Sequence, residues 1–167
     1  MKAAALVPRV AFASRELLDT SLSVGALVLS VLGVGVSSYL VYSHYSGVPL
    51  YCEGVHGCDT VQASKYAEML GVPVALLGLL LYVALVGAAL GGLVWPLTLG
   101  EVSALAVFGL GLMGFVYSGY MTWVEVFRIE AICLWCVVSA CLLTVVFILS
   151  VVHLLLRARW QGDEEEA

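Results

Sequence analysis

Charge is what this sequence has least of. Of its 167 residues only 11% are Asp, Glu, Lys or Arg, while 62% are hydrophobic. A soluble domain carries about 25% charged residues. So little charge cannot cover a soluble surface of this size, and lipid is the expected solvent. A basic patch interleaved with aromatic residues is also missing, which excludes nucleic acid as the expected partner. The net charge of −5 comes partly from the C-terminal run Asp163 to Glu166, which reads as a solvated end.

Four runs carry no charge at all: Ser21 to Tyr42, Val72 to Val94, Val102 to Val124 and Ala131 to Leu156. They hold 22 to 26 residues each, and about 20 suffice to span the hydrocarbon core. A backbone in lipid must satisfy its own hydrogen bonds, so each run is expected to be a helix. The first is too long for the apolar region of a signal peptide, and no small-residue cleavage site follows it. The expectation is an all-α membrane protein. Residues 21–156 form a four-helix transmembrane bundle between an N-terminal segment, 1–20, and an acidic tail, 157–167.

Lys and Arg set the orientation. With four spans both ends lie on one side, where Lys2, Arg9, Arg15, Arg157 and Arg159 make five. The other side holds two, Lys65 and Arg128. Both termini are therefore expected in the cytoplasm of a multi-pass protein of the cell membrane. The loop after the first span (43–71) and the short turn Glu125 to Glu130 then face outward.

That topology gathers four of the five cysteines at one membrane face. Cys52 and Cys58 lie in the loop, and Cys133 and Cys136 form a C-x-x-C in the first turn of the fourth helix. An extracytoplasmic face is where disulfides persist. Free N–H groups and the macrodipole at a helix start favour negative charge, and a cysteine there has a larger thiolate fraction. Cys133 is best placed for this. Cys136 is one turn on, at a depth where a hydrophobic electron carrier reaches it. Cys141 sits deeper in the helix and reads as a small apolar residue in a helix interface. Other readings compete with thiol–disulfide chemistry. Both pairs can be structural disulfides, although a C-x-x-C loop closes little chain. Cys52, His56, Cys58 and the C-x-x-C can bind zinc, although the spacing is irregular for a knuckle. The cysteines can also be incidental.

In the loop, Gly47, Pro49, Gly54 and Gly57 favour turns. After Cys58 the pattern becomes helical, with Asp59 as cap and Gly71 as stop, giving a short helix on the membrane surface. A mobile strip carrying Cys52 beside a more anchored Cys58 suits a relay, because disulfides exchange one sulfur at a time. His56 reads mainly as a solvated loop histidine, with help in deprotonating a thiol as the alternative. The charges of Glu53 and Asp59 oppose thiolate formation at Cys52. The glycines of the first span (Gly25, Gly33, Gly35) and the third (Gly109, Gly111, Gly114, Gly119) read as close helix packing. Tyr39, Phe115, Tyr117, Tyr120, Trp123 and Trp135 read as an interfacial belt. Trp135 is the nearest in sequence to any pocket beside the C-x-x-C, and His153 reads as interfacial at the far end.

The order of these parts resembles the vitamin K epoxide reductase family. The resemblance rests on Cys52 and Cys58 in the loop, Ser64, "GVPVALLGLLLY" opening the second span (Gly71 to Tyr82), and "CLWC" at 133–136. It covers about residues 20 to 156. It implies a four-helix bundle around a quinone of the ubiquinone or menaquinone type. It further implies that Cys136 passes electrons to the quinone, that Cys133 forms a transient disulfide with Cys58, and that Cys52 exchanges with an external thiol partner. Ser64 would lie near the quinone and hold the cysteine region by hydrogen bonding. Vertebrate members place an asparagine in helix two and a tyrosine one turn after the C-x-x-C. Val74 and Ala140 stand at those positions here, which favours quinone reduction coupled to disulfide formation over epoxide reduction. Some microbial members carry a fused thioredoxin-like domain. Only "RARWQGDEEEA" follows the last span here, so a thioredoxin-like partner is expected to be a separate protein. The runner-up is the unrelated four-helix thiol:quinone oxidase, whose cysteine pairs come in the reverse order. A non-enzymatic metal-binding or structural membrane protein is the remaining alternative.

Overall fold

A computed structural model of the chain describes residues 6–52, 57–69 and 71–165. Among these, four helices are long and apolar enough to cross a membrane. They are α1 (Leu6–Ser46), α3 (Val74–Val94), α4 (Pro96–Val124) and α5 (Leu134–Glu165). The expected all-α four-helix membrane fold is the observed one. Each helix extends past its uncharged run or matches it closely. Charge limits how far a helix sits in lipid, and it does not by itself end the helix. Thus α1 carries Arg15, Glu16 and Asp19 within its length. A single residue, Trp95, joins α3 to α4, and Pro96 opens α4 at a position where its missing N–H costs nothing.

Helices α1 and α4 each pack against both α3 and α5, so the bundle is a ring in the order α1–α3–α4–α5. Its centre is Tyr82, Leu85 and Val146, all fully buried, with Ala26, Ala89, Val107 and Leu143 around them. The Tyr82 ring lies where a Cβ on Gly33 would stand, so glycine is required there. The Tyr82 hydroxyl donates to the Ser139 carbonyl at 2.9 Å, tying α3 to α5 in a region with no water to replace that bond. Gly111 and Gly114 also face neighbouring helices, whereas no described residue comes within 4 Å of a Cβ at Gly35, Gly109 or Gly119. Those three do not serve close packing. Outward positions stay apolar, as at Leu80, Val83, Leu105, Val116, Ile148 and Leu155, each more than half exposed. Helices apolar on every side are stable only in an apolar solvent.

At the end of the bundle away from the cysteines, Asp19 of α1 meets two residues of α5. Arg157 Nε and Nη2 donate to its carboxylate at 2.7 and 2.8 Å, and His153 Nε2 lies 2.6 Å from Oδ1. His153, read as interfacial at this end, is 9% exposed and joins α5 to α1. Its partner lies 134 positions away, a distance that no local pattern reveals. Cys141 is exposed on the outer surface of α5, so it does not occupy a helix interface.

The loop departs most from expectation. The helix after Cys58 is five residues long, α2 (Cys58–Gln62), and is followed by turns and a two-stranded hairpin, β1 (Glu68–Met69) with β2 (Val72–Pro73). The Ser64 hydroxyl donates to the Val61 carbonyl at 2.7 Å, offering the backbone an alternative to helix. Gly71, expected as a helix stop, has φ +78° between the two strands. Gly57, not Asp59, precedes α2, and Asp59 Oδ1 instead accepts the Leu50 amide at 3.1 Å.

Candidate functional site

The two cysteine pairs meet in one buried cluster under the loop. Leu40, Leu50, Cys58, Val61 and Cys133 form it, with Cys52, Cys136, Tyr39 and Trp135 packed against it. Cys52 and Cys58 are joined in a disulfide, with their Cα atoms 6.5 Å apart. Cys133 and Cys136 are free thiols. The structure thus joins the loop pair and leaves the helix pair unbonded. In this state neither loop sulfur is available to a zinc ion. Cys58 and Cys133 are 2% and 0% exposed, and Cys52 is only partly buried. Cys52 is therefore the more accessible sulfur of the loop pair.

Backbone contact brings the loop to the C-x-x-C. A Cβ at Gly57 would lie 2.5 Å from the Ile132 carbonyl oxygen and 2.7 Å from its nitrogen. Only glycine allows this approach, and it sets Cys58 and Cys133, each one residue further along, into the same cluster. The arm before Cys52 is tied down. The Tyr51 amide donates to the Tyr39 hydroxyl at 3.1 Å, and the Trp135 indole donates to the Tyr51 carbonyl at 3.0 Å. The rings of Tyr39 and Trp135 meet edge to face at 5.0 Å. The strip leading to Cys52, expected to be mobile, is thus anchored at Leu50 and Tyr51. Glu53, Gly54 and His56 lie outside the described residues.

Cys133 immediately precedes α5, and its carbonyl accepts the Val137 amide at 3.0 Å. It caps the helix rather than occupying its first turn. A hydrogen bond from the Cys136 thiol holds the Cys133 thiol below its ordinary pKa. The amides of Cys136 and Trp135 add to that pull, while burial and the Glu125 charge oppose it. The helix start acts on Cys133 as the sequence implies.

Beside Cys136 lies a cavity of ≈ 540 Å³ between the loop and helices α1, α3, α4 and α5. Its walls are mainly Leu, Ala, Val and Met, with a few polar groups that include Ser64, Tyr66 and Tyr117. Ligand sites have this character and this range of volume. Val74 and Ala140 both line it, at the positions that the vertebrate pattern gives to hydrogen-bonding residues. Trp135 does not line it; the indole points to the loop arm and supports the site from outside. Glu125, expected within a turn, lines the cavity and is 4% exposed. Helix α4 runs on into a π-helical turn, Glu125–Ile129. Its carboxylate therefore stays at the bundle interior and accepts the Cys133 amide at 3.1 Å. The signal was available: an ionisable residue at the end of a span, near a C-x-x-C, marks function by default.

A sequence model of the vitamin K epoxide reductase family matches residues 25–151. The chain belongs to this family. It is a multi-pass membrane oxidoreductase that acts on thiols and disulfides. The match takes in the second and third spans, most of the first and fourth, the loop pair and the C-x-x-C, so the cysteine cluster lies inside the matched region.

Proposed function

We propose that the protein makes disulfides in a separate thioredoxin-like partner and passes the electrons through Cys52/Cys58 and Cys133/Cys136 to a quinone of the ubiquinone or menaquinone type. The observation that carries this reading is the position of Cys136, which belongs to the buried cysteine cluster and also lines the apolar cavity. The cavity fits a flat apolar ring: its walls offer dispersion contacts on every side and few polar groups to desolvate. A bound quinone supplies a sink for two electrons and two protons.

From the oxidised-loop, reduced-helix state, Cys133 and Cys136 close a disulfide and release two electrons and two protons toward the cavity. The partner's thiolate then attacks Cys52, the less buried sulfur of the loop disulfide, and Cys58 leaves as thiolate. The partner's second thiol resolves that mixed disulfide and departs oxidised, leaving Cys52 reduced. Cys58 attacks Cys133, and Cys136 leaves as thiolate into the cavity wall. Cys52 finally attacks Cys58, which restores the loop disulfide and frees Cys133. Ser64, bonded to Val61 within the loop and lining the cavity, positions the segment that carries Cys58. Trp135 does the same for the arm that carries Cys52.

The excess of Lys and Arg at the two termini supports an orientation with 1–20 and 157–167 in the cytoplasm, the bundle 21–156 between them and the cysteines at the extracytoplasmic face. The test is quinone reduction by purified protein with a dithiol donor, beside Cys136→Ala. Wild type is expected to turn over. The variant is expected to stall with Cys133 held in a mixed disulfide to Cys58. A Cys136→Ala protein that reduces quinone at the wild-type rate ends this assignment.

A further inference from the structure

Glu125 is a buried carboxylate that the thiol relay does not use. Its Oε2 accepts the Cys133 amide at 3.1 Å, and Cys136, one turn further along α5, lines the same cavity. One side chain thus borders both the C-x-x-C, through the Cys133 amide, and the cavity that Cys136 lines. The turn that presents it is closed on its own backbone: the Glu125 carbonyl accepts the amides of Glu130 and Ala131. The titratable groups around it are Cys133 and Cys136 from the start of α5, Tyr66 from the loop and Tyr117 from α4. Among the described residues no Lys, Arg or His lines the cavity. Arg128 of the same turn lies over the Trp123 ring at 5.7 Å. A carboxylate desolvated without a cation is costly, and that cost makes it a ready proton acceptor.

We propose that Glu125 is the proton carrier of the quinone-reducing step, taking the thiol proton of Cys136 and releasing it to a quinone oxygen in the cavity. The inference rests on the functional reading above. As the Cys133–Cys136 bond forms, two S–H bonds break and two electrons leave for the quinone. The first proton passes from Cys136 Sγ to the Glu125 carboxylate and on to the quinone. Once Cys136 Sγ has given up its proton it can accept the second from Cys133 Sγ, and that proton follows the same path. Two protons and two electrons arrive together, and Glu125 begins and ends as a carboxylate.

Glu125→Gln separates this role from a structural one, because its amide oxygen still accepts the Cys133 amide. With a short-chain quinone and dithiothreitol, kcat is expected to fall about a hundredfold, the usual scale of general acid–base catalysis. KM for quinone is expected to stay within about twofold, since the walls are unchanged. The carboxyl ionisation is expected to vanish from the kcat–pH profile, and Glu125→Asp to recover part of the rate. Reduction of the Cys52–Cys58 disulfide by dithiothreitol without quinone is expected to be unchanged. Infrared difference spectra on mixing reduced wild type with quinone are expected to show a transient protonated-carboxyl band, absent from Glu125→Gln. That band decides the matter alone if the variant does not fold. A variant with the wild-type kcat and pH profile, an equal loss in the quinone-free half-reaction, or a wild type without the band overturns the role of Glu125 while quinone reduction stands. A wild type that reduces no quinone overturns the functional reading and this inference with it.

Discussion

Removing the Cys136 sulfur changes Cys133 before it changes anything else. The Cys136 thiol is the largest influence holding the Cys133 pKa down. In Cys136→Ala that pKa is expected to rise, so at a fixed neutral pH the thiolate fraction of Cys133 falls. The pH dependence of thiolate absorbance, compared with Cys133→Ala to assign the signal, checks the direction. Trp135 makes a second residue-level case. Trp135→Phe keeps a ring against Tyr39 and loses only the donor to the Tyr51 carbonyl. One lost neutral hydrogen bond is worth about 1 kcal/mol. Exchange with external thiols at Cys52 is expected to quicken as the arm loosens, with little change in quinone affinity, because Trp135 does not line the cavity. Stopped-flow reduction of the loop disulfide measures the first effect. Sequence position marked Trp135 as a neighbour of the pocket; the rotamer that turned it to the loop arm was not legible there.

Among the elements, the loop depends on backbone proximity. Gly57→Ala places a methyl group against the Ile132 backbone, which cannot move aside as a flexible side chain can. The loop is expected to shift outward, and electron passage from Cys58 to Cys133 to slow by at least about tenfold, while dithiol attack on Cys52 persists. Rapid-quench mapping of the mixed disulfide separates the two steps. Gly33→Ala overpacks against Tyr82 and is expected to cost about 1–3 kcal/mol, read as a lower melting temperature in micelles. The long helices were legible because apolar runs in lipid have one way to satisfy their backbones. The loop was not. "DTVQASKYAEMLG" has helical spacing, but the Ser64 side-chain bond to Val61 competes with the helix just past Gln62, and Gly71 turns the hairpin that follows.

Across the whole molecule, the two ends of the bundle are fastened by different chemistry. The cysteine end is closed by the loop over the cavity; the far end by Asp19, His153 and Arg157 joining α1 to α5. Asp19→Asn removes the carboxylate that Arg157 and His153 share, and a lost bond to a charged group costs on the order of 2 kcal/mol. The variant is expected to melt earlier yet reduce quinone at the wild-type rate per folded molecule, because the cavity lies at the opposite end. Thermal melts and single-turnover assays on the same preparation test both halves.

Residue order and composition were enough to specify the solvent, the four spans and the gathering of four cysteines at one face. These follow from length and hydrophobicity, which lipid reads directly, and from chain connectivity. Only the tertiary structure decided which groups touch: Gly57 on Ile132, Trp135 on Tyr51, Asp19 on His153 and Arg157, and Glu125 beside the C-x-x-C. Those contacts depend on how four nearly uniform apolar helices rotate and settle against one another. An almost featureless hydrophobic pattern carries little information about rotation, so packing and a few buried polar bonds supplied it.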